Sequence, residues 1–174
     1  AVSIAVPTPF HHDIARKCIE RRVHMLIEKP MCGTAEEAET LVRSIPDDLI
    51  VGVGHLERFN PIVKEIRRIV KRPLYVEAKR HNPASARIQG TSVVEDLMIH
   101  DIDIIFSLFA NGRFVVHSQG NDDIRSALFS MSGIPIYLSA SRKASKKIRS
   151  IYIEEEESTI EGDFMSQEIF VYWK

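Results

Sequence analysis

The chain has 174 residues, 44% of them hydrophobic and 27% charged, with a formal net charge of −1. That suffices for one large or two small globular domains with a real core, and the charge balance argues against nucleic acid or an anionic membrane as partner. No apolar run approaches the roughly 20 residues that span a bilayer, and the two cysteines, Cys18 and Cys32, have neither metal-site spacing nor the numbers of a disulfide framework.

The chain opens at Ala1 directly into an apolar run without a methionine, which reads as an interior piece of a longer protein. Val2–Val6 is a strand stopped by Pro7-Thr8-Pro9, and the spacing of Ile14, Ala15, Cys18 and Ile19 predicts a helix over 12–22. Val23–Ile27 is a second strand ending before Pro30. Thr34, with Glu37 three residues on, caps a helix running to about Ser44. Ile50–Val53 is a third strand. Strand and helix alternating at these lengths imply parallel strands joined by right-handed crossovers. From Asn60 the pattern changes. Pro61 opens a helix with Ile62, Ile66, Ile69 and Val70 on its face. Leu74–Lys79 is a strand, 80–90 is polar and irregular, and Val93–Ala110 is one long helix. Runs at 114–117, 126–130, 135–140, 148–154 and 168–172 read as consecutive, mostly antiparallel strands. The fold class is thus α/β followed by α+β, divided as residues 1–57 and 58–174.

Ligands of an open parallel sheet bind beyond the carboxyl ends of its strands. Those ends carry Thr8, His11 and His12, then Glu28-Lys29, then His55, Glu57 and Arg58. Loops are polar in any case, but proline restricts the residue before it, so Lys29 has little freedom to swing away. In the helix from Val93, Asp96, His100, Asp103 and Ser107 fall on one stripe of roughly 60° at ~100° per residue, on an otherwise apolar helix. Such groups either satisfy one another or serve chemistry, and a carboxylate that orients an imidazole makes a general base near neutral pH. His11-His12 lacks a third ligand, so no metal is expected. Arg142, Lys143, Lys146, Lys147 and Arg149 read as a solvated strand face, with a phosphate contact as the alternative; Glu154–Glu157 reads as a solvated turn. Ser139 and Ser141 show no base arrangement that would make either a nucleophile.

Pro7-Thr8-Pro9-Phe10-His11, Glu28-Lys29-Pro30, Glu57-Arg58-Phe59-Asn60-Pro61 and Asp96-x-x-x-His100 occur in order along the chain, and together resemble the glucose–fructose oxidoreductase and inositol dehydrogenase family, Gfo/Idh/MocA. The Glu-Arg-Phe-Asn-Pro and Ile-His-Asp-Ile-Asp versions look most like sugar-nucleotide members. The resemblance implies the C-terminal half of a Rossmann domain, then a domain with a large open antiparallel sheet. It implies an NAD- or NADP-dependent dehydrogenase acting on a sugar, sugar-nucleotide or polyol hydroxyl. Lys29, Asp96 and His100 would be catalytic. Thr8, Pro9, His11, Glu28 and Lys29 would face the cofactor, and Lys29, Arg58, Asn60, Asp96 and His100 the substrate. No Gly-x-Gly-x-x-Gly opens the chain, so this piece alone is expected to be inactive and to bind dinucleotide poorly. No signal peptide opens the chain, so a cytoplasmic protein is expected, as a homodimer or homotetramer paired through its antiparallel sheet, with no nucleic-acid or membrane partner. A non-catalytic dinucleotide- or sugar-sensing protein, or an oligomerisation fragment, is the alternative.

Overall fold

The computed structural model describes residues 1–84, 91–109 and 113–174. The chain folds as two units, Ala1–His55 and Leu56–Lys174. In the first, β1 (Val2–Ile4), β2 (Met25–Ile27) and β3 (Val51–Val53) form a parallel sheet in the order β1-β2-β3. Two crossover helices join them, α1 (His11–Glu20) and α2 (Ala35–Arg43). Ile4, Met25 and Ile27 bury one face against Ala15 and Leu41, as the alternation of each short strand dictates. Thr34 caps α2, its hydroxyl accepting from the Glu37 N–H at 3.2 Å. Cys32 joins this core, and burial, then the charge of Glu37, push its thiol up; it is an inert packing thiol.

The second unit is a seven-stranded sheet ordered β10-β9-β8-β4-β7-β6-β5. Its strands are β4 (Pro73–His81), β5 (Phe114–Gly120), β6 (Ile124–Met131), β7 (Ile134–Ser141), β8 (Ile148–Glu155), β9 (Ser158–Asp163) and β10 (Glu168–Trp173). Every pair is antiparallel except β4 with β7, because β4 comes from the other side of the long helix and enters between strands of a later meander. Helix α3 (Pro61–Ile69) lays Ile62, Val63 and Ile66 on one face of the sheet, each worth roughly 1.5–3 kcal/mol if fully removed from water. A side chain at Gly162 would come within 2.9 Å of Ile151 and 3.3 Å of Ile62, so glycine is what lets this helix approach the sheet.

Four expectations are corrected. Strand β4 continues through Arg80 and His81 rather than becoming irregular there; residues 85–90 of that stretch lie outside the described residues. The long helix begins with a π turn, Val94–Met98, and becomes α-helical as α4 (Ile99–Phe109); Ala110 lies outside the described residues. Strand β9 went unpredicted, because its Ser-Thr-Ile-Glu-Gly-Asp sequence offers little apolar alternation. The acidic run is not all solvated: Glu155 is buried, accepting from the N–H groups of Lys71 and Arg72 at 2.7 and 2.6 Å.

Candidate functional site

In the first unit, backbone geometry brings polar groups to the carboxyl rim of the sheet. The Glu28 N–H donates to the Ile4 carbonyl and the Gly54 N–H to the Ile27 carbonyl, at 2.9 and 2.8 Å, so the ladder continues one step past each strand. Glu28 is half-buried and accepts weakly from the Lys29 N–H at 3.3 Å. A Cβ on Gly54 would sit 3.1–3.2 Å from the Glu28 carboxylate. The glycine thus leaves the carboxylate its room. Lys29 is half-buried, and its peptide bond to Pro30 is cis. Thr8 is half-buried in a single 3₁₀ turn, with Pro9 exposed beside it.

His11, expected to face the cofactor, has its ring inside the unit. The ring is 1% exposed; Nδ1 lies 2.9 Å from the Pro30 carbonyl and Nε2 2.8 Å from the Val6 carbonyl. Both ring nitrogens are occupied by the protein's own backbone, so His11 ties the loop after β1 to the loop after β2 and shapes the rim from behind. Among the described residues no group of three His, Cys, Asp or Glu side chains is arranged to hold a metal ion.

In the second unit the predicted polar stripe breaks into two parts. A continuous stripe needs 3.6 residues per turn throughout, and the π turn at Val94–Met98 changes the phase between Asp96 and the residues after Ile99. Further along, Asp103 is gripped by Arg58, whose Nε donates to Oδ2 at 2.9 Å while Nη2 pairs with Oδ1. Ser107 receives Arg67 Nη2 at 3.3 Å. These two positions dock α4 on the α3 segment. Asp96 and His100 are both half-buried. π turns of this kind recur at functional sites.

Two residues expected to face the substrate make contacts within their own unit. The Arg58 guanidinium is committed to Asp103, and the Asn60 side chain accepts from the Ile62 N–H at 3.0 Å as the N-cap of α3. Both act as structural fasteners in this geometry.

The residue that sequence reasoning missed is Asp101, 4% exposed, beside His100. Arg80, 2% exposed, donates to it from Nε (3.0 and 3.1 Å) and Nη2 (2.8 Å), and reaches Glu57 at 3.4 Å. The Arg80 guanidinium also lies 5.8 Å from the Phe164 ring centroid. Burial pushes the Asp101 carboxyl up from its ordinary range, while the two-pronged contact with Arg80 opposes that shift and favours the carboxylate. The cluster pins β4 to the first turn of α4, and so fixes the backbone that carries His100. No local signal announces it: the partners are 21 and 23 residues apart in sequence. A further unpredicted pair is His81 Nε2 with the Ser139 hydroxyl at 2.7 Å. Ser139 does have a base beside it, though a pair without an oriented third group falls short of a nucleophile relay. A cavity of about 470 Å³ near Trp173, lined by residues such as Arg68, Arg72 and Glu155, contains none of the candidate residues.

A family model described as oxidoreductase family, NAD-binding Rossmann fold (Gfo/Idh/MocA), matches residues 1–56. The UDP-N-acetylglucosamine 3-dehydrogenase of Acidithiobacillus ferrooxidans is 30% identical over 181 aligned residues, covering 99% of this chain and 58% of that protein. Its solved structure superposes with a TM-score of 0.88 at 28% identity, over 98% of this chain and 60% of that one. Inositol 2-dehydrogenase of Mycolicibacterium smegmatis is 28% identical over 67% of this chain and 36% of that protein. Levoglucosan dehydrogenase, solved with NADH and levoglucosan, shares the fold at a TM-score of 0.87 and 21% identity, over 99% of this chain and 56% of its own. The chain therefore spans somewhat over half the length of the relatives that it matches along its whole length.

Proposed function

We propose, from the premise that this chain belongs to the Gfo/Idh/MocA oxidoreductase family, that it is part of an NAD- or NADP-dependent dehydrogenase of sugar, sugar-nucleotide or polyol hydroxyls. The observation carrying this reading is the coincidence of two local settings. Glu28 and Lys29 stand on the carboxyl rim of a parallel sheet, where such folds take their ligands, and the room kept by Gly54 is a cradle that a side chain would fill. Asp96 and His100 stand on a π-turned helix whose backbone is pinned by a buried ion cluster.

The chemistry assigns one task to each group. A nicotinamide bound at this rim would supply the acceptor for the hydride of the carbinol carbon. His100 takes the hydroxyl proton as general base. Lys29 hydrogen-bonds the same oxygen and stabilises its developing negative charge. Asp96 orients the imidazole or holds a neighbouring hydroxyl. Thr8, Pro9 and Glu28 would hold the nicotinamide, and His11 holds their loop in shape. The substrates named for the relatives, a UDP-sugar and an inositol, both present secondary carbinols of the required kind.

The test is isotopic. A substrate deuterated at the carbinol carbon, turned over by the full-length protein, should pass its label to the nicotinamide. Label released to water would remove hydride transfer from the account.

A second proposal, compatible with the first, is self-association. The sheet face opposite the helices carries exposed Leu128, Phe170 and Tyr172 with polar neighbours, which suits pairing with a second copy, as a dimer or tetramer. The site is proposed to work in the cytoplasm, where the free thiols of Cys18 and Cys32 stay reduced. Among the described residues no helix is long and apolar enough to cross a membrane.

A further inference from the structure

Asp101 and Arg80 hold the long helix just beyond His100. A separate set of contacts holds it just before Asp96. The first N–H groups of a helix have no partner within the helix itself. Here the N–H of Val93, a fully buried residue, donates to the Asp122 carbonyl at 2.7 Å. Ser92 and Glu95 form a reciprocal capping box. The Glu95 carboxylate accepts from the Ser92 N–H at 2.9 Å, and the Ser92 hydroxyl accepts from the Glu95 N–H at 3.4 Å. The Asp96 N–H donates to the Ser92 carbonyl at 3.1 Å.

Asp122 belongs to the turn between β5 and β6. The Asn121 side chain closes that turn, accepting from the Asp123 and Ile124 N–H groups at 2.9 Å. Arg142, which directly follows β7, grips the turn at three points. Its N–H donates to the Asp123 carbonyl at 2.8 Å. Its Nη2 donates to the Asp122 carbonyl at 2.8 Å and pairs with the Asp123 carboxylate at 3.1 Å. One carbonyl, that of Asp122, therefore receives both the helix start and the guanidinium. Lys143 Nζ meets the other oxygen of the Asp123 carboxylate at 3.0 Å. The basic residues of this stretch are accordingly not a single solvated face: Lys146 and Lys147 are exposed, while Arg142 is buried and Arg149 half-buried.

The π turn at Val94–Met98 lies between the two anchors. π turns are rare and persist where their surroundings hold them. Relaxation to α-helical spacing would rotate Asp96 about the helix axis relative to His100. With both ends fixed, neither side of the turn is free to rotate. We infer that Arg142 is a positioning residue for Asp96, acting through the Asp122 carbonyl and the Val93 N–H. The inference rests on the dehydrogenase reading above, and gives the carboxylate a support of its own, apart from the Arg80 cluster behind His100. A charged donor makes a firmer hold on the shared carbonyl than a neutral one.

The test uses the full-length protein and a double-variant cycle. Arg142→Gln should lower kcat/KM for the carbinol substrate by about 10–10²-fold, the size expected when a distant change misplaces a reacting group. In an Asp96→Asn background the same substitution should cost less than about twofold, because the group that it displaces is already gone. Arg142→Lys, which keeps a charged donor, should recover part of the loss, and Lys143→Gln should leave kcat/KM unchanged. Hydrogen exchange supplies a readout that needs no turnover. The Val93 amide should exchange slowly in the unsubstituted protein and about tenfold faster or more in Arg142→Gln, while the amides of β8 keep their protection. A loss of equal size in both backgrounds would mean a general structural role and overturn the inference. So would a Val93 amide that exchanges as fast as an open loop in the unsubstituted protein, a result that stands even if Arg142→Gln fails to fold. Deuterium label passing to water would count against the dehydrogenase reading instead, and the exchange result would still judge the clamp.

Discussion

The two units place their candidate groups by different physics. In the first, Glu28 and Lys29 are put in position by the chain beside them: a three-residue strand, a proline, and a glycine opposite. In the second, His100 is put in position by residues far along the sequence, through Arg80, Asp101 and Glu57. A rim built from backbone geometry tolerates the loss of any one side-chain contact. A buried ion cluster does not, because removing one partner leaves the other charged in a dry interior.

The strongest way to break this contrast is Asp101→Ala. It strands Arg80 at 2% exposure, and the expected loss is about 3–5 kcal/mol of stability, measured by urea unfolding with the slope checked for two-state behaviour. A loss below ~1 kcal/mol would mean that Arg80 finds another partner or water. In the first unit the largest expected cost is smaller. Gly54→Ala crowds the Glu28 carboxylate, which is the end of a movable side chain, so about 1–2 kcal/mol is expected, with Glu28 displaced from its place on the rim. Thr34→Ala removes only the cap of α2 and should cost about 1 kcal/mol.

The smallest effect sharpens the comparison through pH. Burial, then the neighbouring charge of Lys79, hold the His81 imidazole below its ordinary value of 6.5. The unfolded chain therefore binds a proton at a higher pH than the folded one. His81 costs no stability above the ordinary value, and stability falls as pH drops through 6.5 toward the folded value. Thermal melts from pH 7.5 to pH 5 should show this drift, and His81→Asn should flatten part of it. A drift of the same size in the variant would assign it to other groups.

The same contrast explains what was legible in the sequence. Thr34 and Pro61 announce helix starts by rules that act within three residues, and the structure has both. The parallel and antiparallel halves were visible in the spacing of apolar runs. The Glu-Lys-Pro and Asp-x-x-x-His motifs were visible because each is local. Arg80 was hidden because it ends a strand whose last residues are charged, and only its register against β8 and its contact with Asp101 show it to be core. The stripe through Asp96, His100, Asp103 and Ser107 was misread because a π turn leaves no mark in the residue pattern. Asn60 and Arg58 carried a family motif and a structural job at once, and the motif alone could not separate the two.

The central claim is that His100 and Lys29 serve one reaction as base and electrostatic stabiliser. The most direct measurement is steady-state kinetics of His100→Ala and Lys29→Ala in the full-length protein, with a carbinol substrate that the unsubstituted enzyme oxidises. The predicted result is a fall of about 10²–10⁴-fold in kcat for His100→Ala, a comparable fall for Lys29→Ala, and unchanged folding by circular dichroism. Turnover by both variants at the unsubstituted rate would contradict the assignment of these two residues.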